Sequence, residues 1–146
     1  MICWFFLSRR TGSSSIWTRS PSVPSEASRR FSDCVLDSKD YYDLFELHRA
    51  LAFEGSTLVE AIRRTFARRG RLIPAAPLEG LTEAFAAGPV TSGRWHAFLG
   101  KNQVLGSEPD FATVVAAIRR FAQPVLDAAR DQQAFVKSWP PGGPWS

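Results

Sequence analysis

The 146-residue chain has few of the features that mark a membrane protein or an exported one. No apolar run approaches the roughly 18 residues that a membrane-spanning helix needs. The opening MICWFFL is short, and its arginines follow it, whereas a secretory signal carries its positive charges in front. The sequence therefore predicts a protein without a membrane segment.

Cysteine is scarce, and neither Cys3 nor Cys34 has other ligand residues at metal-binding spacing. A structural zinc site needs four such ligands, so the pattern argues against one. Two distant thiols in a chain without an export signal are typical of reduced cysteines in a reducing compartment. We therefore expect a cytoplasmic location.

Carboxylate pairs of the Asp-x-Asp or Asp-x-Glu kind are missing altogether. Polymerase-type nucleotidyltransferases place a glycine-serine turn ahead of such a pair, and the pair binds metal. GSSS at Gly12–Ser15 has the turn, but no aspartate lies between Gly12 and Asp33. We therefore interpret GSSS as part of a serine-rich segment rather than as a nucleotide-binding site.

Positive charge is concentrated near the N-terminus. The chain has 18 Lys and Arg and 14 Asp and Glu; residues 1–32 hold five arginines and one glutamate, which leaves 13 of each sign elsewhere. Residues 1–35 are rich in serine and arginine and show no helical or strand period. An irregular or disordered tail, a transit peptide and the translation of a shifted reading frame all fit. The abrupt change near Cys34 favours the last.

From Asp37 onward, apolar residues recur at helical spacing. The pattern predicts an all-α fold, a small helical bundle over residues 36–146 that ends in an extended C-terminal tail. Two long and two or three shorter helices are expected. They lie at about 38–52 and 58–69, at about 82–87 and 93–99, and from near residue 107, where the longest begins.

Local signals mark the ends of these helices. Asp37 or Ser38 can cap the first helix. Thr57 with Glu60 forms a T-x-x-E capping box for the second, and Gly70 suits the position after its last turn, where a positive φ is needed. His48 falls on the apolar stripe of the first helix, so we expect a buried histidine rather than a catalyst.

The start of the first helix, SKDYYDL at residues 38–44, is rich in ionisable groups. Asp40 and Asp43 lie about 60° apart on a helical wheel, beside Lys39 and away from the apolar stripe. Two carboxylates on one face suit a divalent cation, or one of them can act as a base toward a hydroxyl. Acidic residues in a first turn also simply complement the helix dipole. Both interpretations stay open.

Five arginines crowd into RRTFARRGR, residues 63–71. Arg63, Arg64 and Arg68 lie away from the apolar stripe of their helix. They form either a solvated face or a surface for RNA or phosphate, whose oxygens match the guanidinium fork.

Taken together, these segments resemble the C-terminal region of the AbiEii/AbiGii toxin family of nucleotidyltransferases. KDYYDL at residues 39–44 is similar to a family stretch, R-x-K-D-[FY]-[YF]-D-L, that opens a helix. Residues 53–69 follow the family pattern F-x-G-x-x-L-x-x-A-I-x-x-T-F-x-R-R, and W-x-x-F-L at 95–99 and the closing WPPGGPW are similar too. The resemblance covers about residues 36–145.

The resemblance carries several expectations. Members of the family resemble DNA polymerase β-type nucleotidyltransferases and are toxins of type IV toxin–antitoxin systems, associated with abortive phage infection. The resemblance implies Mg²⁺ and an NTP as cofactors, RNA as an acceptor in related members, and a cognate antitoxin as a partner. It also implies an active-site role for Asp40, with Lys39 and Asp43 beside it.

The chain departs from the family pattern ahead of the K-D motif, where the glycine-serine turn, the aspartate pair and a lysine-bearing helix are expected. We therefore interpret it as the C-terminal helical domain of a nucleotidyltransferase toxin-like protein, truncated and inactive alone. Two alternatives stay open. One is a non-enzymatic helical module that binds an antitoxin or a separate catalytic half, and the other is a basic RNA-binding helical protein.

Overall fold

The computed structural model describes residues 36–75, 77–102 and 109–146. The expectations for residues 1–35, including GSSS, the two cysteines and the shifted reading frame, lie outside the described residues. So does residue 107, the expected start of the longest helix.

Five α-helices, one 3₁₀ turn and a two-stranded sheet make up the described part of the chain. In order they are α1 (Ser38–Ala50), β1 (Phe53–Glu54), α2 (Gly55–Arg68), the 3₁₀ turn (Glu79–Leu81), α3 (Glu83–Ala86), α4 (Pro89–Lys101), α5 (Phe111–Arg130) and β2 (Ser138–Trp139). The predicted helical bundle is confirmed. The sheet was not predicted; its strands are antiparallel and two residues long, with Phe53 opposite Trp139.

Helix α5 is the centre of the core. Its apolar residues keep the helical period over 20 residues, and the whole predicted stripe is buried: Phe111, Val114, Val115, Ile118, Phe121, Ala122, Val125, Leu126 and Ala129. Helices α1 and α2 pack against it with their own stripes, through Tyr41, Leu44 and Phe45 and through Leu58, Val59 and Phe66. Leu51, also placed on the α1 stripe, is 47% exposed because α1 ends one residue earlier.

The start of α2 differs from the prediction. The capping box at Thr57 is wrong, since the helix begins at Gly55 and Thr57 lies in its first turn. Glu54 is the N-cap and makes no side-chain cap hydrogen bond. Instead, the Gly55 N–H donates to the Lys137 carbonyl at 2.8 Å. The C-terminal tail thus satisfies a donor that helix starts leave unpaired.

The far end of α2 follows the prediction. Gly70 has a φ of +60°, and its N–H donates to the Ala67 carbonyl at 3.0 Å. The Arg71 N–H donates to the Phe66 carbonyl, also at 3.0 Å. This pair of hydrogen bonds is a Schellman motif, in which the left-handed residue is usually glycine.

The C-terminal tail lies against the body of the protein. Trp139 is 2% exposed, and its indole Nε1 donates to the His48 carbonyl at 2.8 Å. Trp145 stacks on Phe121, with ring centroids 5.6 Å apart, and its Nε1 donates to the Phe121 carbonyl at 2.9 Å. The tail therefore ties the end of α1 to the middle of α5.

Gly55 has no room for a larger side chain, because a Cβ there would lie 2.7 Å from the Lys137 carbonyl oxygen and closer still to the Phe135 ring. We expect Gly55→Ala to lower the free energy of unfolding by about 2 kcal/mol through overpacking. The matched control is Gly93→Ala, in α4, where a Cβ meets nothing within 4 Å. That variant should gain about 0.5 kcal/mol, since glycine is a poor helix former. Urea denaturation midpoints measure both changes, and equal midpoints for the two variants would contradict the tail contact.

His48 is 5% exposed and lies among Phe45, Phe121 and Trp139, as the buried-histidine prediction requires. Burial lowers the pKa of His48, and nearby backbone carbonyls offset this only in part. The pKa of His48 in the folded state therefore lies below its value of about 6.5 in the unfolded state. As the pH falls below 6.5, the unfolded state binds this proton before the folded state does.

Stability should therefore fall as the pH drops from about 6.5 toward the lowered pKa, by at most about 1.4 kcal/mol per pH unit from this group. His48→Phe should flatten that part of the profile, whereas a change at the exposed His96, to Gln, should leave it intact. Chemical denaturation between pH 7.5 and 4.5 measures the slope. A His48→Phe profile parallel to that of the unmodified chain would refute the assignment.

Candidate functional site at the start of helix α1

The candidate site is a polar surface at the start of α1, formed by Lys39, Asp40 and Asp43 and called here the α1 acidic face. Asp37 is the N-cap of the helix and accepts from the Asp40 N–H at 2.9 Å. Asp40 Oδ2 accepts from the Asp37 N–H in return, at 3.2 Å. Through this reciprocal capping box, Asp40 has a structural role in stabilising the start of the helix.

Lys39 and Asp43 form an ion pair across one turn of the face. Lys39 Nζ lies 2.5 Å from Asp43 Oδ2, and the side chains are 62% and 29% exposed. Pairs at this spacing contribute only a few tenths of a kcal/mol to an exposed helix. The pair therefore leaves a carboxylate and an ammonium group at the protein surface, where a partner or ligand can compete for either.

The two tyrosines between these residues belong to the packing. Tyr41 is 1% exposed, donates its hydroxyl to the Gly80 carbonyl at 2.8 Å and meets the Phe111 ring edge-on at 5.0 Å. Burial, and then the nearby Asp40 carboxylate, raise the pKa of Tyr41, so it stays protonated at neutral pH. Tyr42 packs on α4, with its ring 5.8 Å from that of Phe98. The buried, protonated Tyr41 is therefore not placed as a proton acceptor.

A magnesium ion needs about six oxygen ligands in octahedral geometry. Within residues 36–75, 77–102 and 109–146, no group of three or more histidine, cysteine or acidic side chains is arranged to hold a metal ion. Asp40 and Asp43 supply two carboxylates, and one of them is paired with Lys39. The described residues therefore do not provide a complete magnesium site.

Arg63 has a structural role that its position in the sequence did not reveal. Its Nη2 donates to the carbonyls of Ala128 and Gln133 at 3.0 and 3.1 Å, and its Nε donates to Ala129 at 3.1 Å. The guanidinium thus binds the C-terminal carbonyls of α5, where a positive charge is also favoured by the helix dipole. Finding this contact requires knowing that α2 and the end of α5 are neighbours.

The other two arginines of the set lie at the surface. Arg64 Nε pairs with Glu60 at 2.7 Å, but its side chain is 76% exposed. Arg68 ends α2 and is exposed. Unlike Arg63, both present their guanidinium groups to solvent.

The described residues thus form a helical domain in which α1 carries an acidic face and packs, together with α2, against the longest helix, α5. The sequence model of one family, the nucleotidyl transferase AbiEii toxin of type IV toxin–antitoxin systems, matches residues 24–117. The match covers more than half of the chain, so this protein belongs to the AbiEii nucleotidyltransferase toxin family. No curated protein and no solved structure gives a significant match.

The matched range contains all of α1 and α2, including KDYYDL and the T-F-A-R-R segment. It begins within residues 1–35, which lie outside the described ranges, and it ends inside α5, before the tail. Family membership brings with it nucleotide and metal use and a toxin–antitoxin setting as general properties of the family. None of the helices in the described ranges is long and apolar enough to cross a membrane.

Proposed function

We propose that this chain is the C-terminal helical domain of a nucleotidyltransferase toxin and does not transfer nucleotides by itself. The family match over residues 24–117 carries the proposal, because it includes the whole K-D-Y-Y-D-L segment. The sequence contains no Asp-x-Asp or Asp-x-Glu pair. Metal-assisted phosphoryl transfer needs ligands that hold its cations, so another domain has to supply them.

In this proposal the α1 acidic face forms one wall of a cleft. Asp40 acts there on the acceptor or the nucleotide, and Lys39 and Asp43 position it. The Lys39–Asp43 ion pair, at 2.5 Å, lies on the outer side of α1. The remaining walls, the Mg²⁺ ligands and most of the NTP contacts come from a separate catalytic half. A cytoplasmic location and a cognate antitoxin follow from the toxin–antitoxin setting.

A nucleotide-transfer assay tests this proposal. The chain alone, with labelled GTP, Mg²⁺ and total RNA, should give no incorporation above background. With a separately produced family domain that carries the Gly-Ser and Asp-x-Asp motifs, incorporation should rise. Asp40→Asn should then lower it by a factor of about 10²–10³, since the charge is lost while the amide oxygen can still accept from the Asp37 N–H.

The matched control is Asp37→Asn, which changes an equivalent charge at the N-cap and should leave transfer unchanged. Incorporation by the chain alone that disappears in Asp40→Asn would overturn the inactive assignment. Full activity of Asp40→Asn in the reconstituted mixture would overturn the role of Asp40.

RNA contact through Arg64 and Arg68 is a second candidate function, favoured by the exposure of both guanidinium groups. Changing both to glutamine should weaken RNA binding and reduce the salt slope by about 1.4, at roughly 0.7 per lost phosphate contact on single strands. Protein stability should stay within about 0.5 kcal/mol. Arg63→Gln is the contrast, because its loss leaves carbonyls of α5 without their donor and should cost about 1–3 kcal/mol.

Fluorescence anisotropy at several salt concentrations and urea denaturation give the two readouts. RNA affinity that is insensitive to the Arg64 and Arg68 changes would remove this candidate. Equal stabilities for the double Arg64/Arg68 variant and for Arg63→Gln would contradict the role of Arg63.

A further inference from the structure

We draw no further inference here: the strongest candidate, the partly open apolar groove between α1, α2 and α5 beneath the connector that joins α2 to the 3₁₀ turn, carries none, because nothing in the structure shows what covers it.

Discussion

The packing of α1 against α5 is the interaction on which the rest of the account depends. Tyr41, Leu44 and His48 are all 5% exposed or less in that contact. A helix held by one face must present the opposite face outward, because the 3.6-residue period separates the two. Lys39 and Asp43 are surface groups for this reason. The tyrosines and the charged residues are close together in the sequence because neighbouring positions lie on different sides of one helix.

The helical part of this arrangement could be predicted from the sequence. The stripes of α1, α2 and α5 follow from local spacing, and so does the burial of His48, because a residue's place on a helical wheel decides whether it meets the core. The capping of α1 by Asp37 and the turn at Gly70 are equally local. Each depends on residues within one or two turns of one another.

Contacts between distant parts of the chain could not be predicted in this way. The strands β1 and β2 are too short to show a period of two, and their pairing depends on the tail returning to the start of α2. The returning tail also accepts a hydrogen bond from the Gly55 N–H, at the start of α2, where the Thr57 capping box was predicted instead. The binding of α5 carbonyls by Arg63 is a third example, since its partners lie 65 to 70 residues further along the chain.

In the candidate site, too, the local contacts could be predicted and the distant ones could not. The Asp37–Asp40 capping box and the Lys39–Asp43 pair follow from residue spacing, and both are present in the structure. Their spacing does not show what faces them. The family to which the chain belongs uses nucleotides and metal, and the described residues supply too few ligands for a metal ion. We therefore propose that the α1 acidic face is half of a site.

Relaxation enhancement by Mn²⁺ used in place of Mg²⁺ tests this view most directly. The ¹⁵N-labelled chain would be mixed with GTP and Mn²⁺, with and without a family domain that carries the Asp-x-Asp motif. If the α1 acidic face is half of a site, the amides of residues 39–43 should broaden selectively in the mixture with that domain, and none should broaden in the chain alone. Broadening in the chain alone, or unperturbed α1 amides in an active mixture, would contradict it.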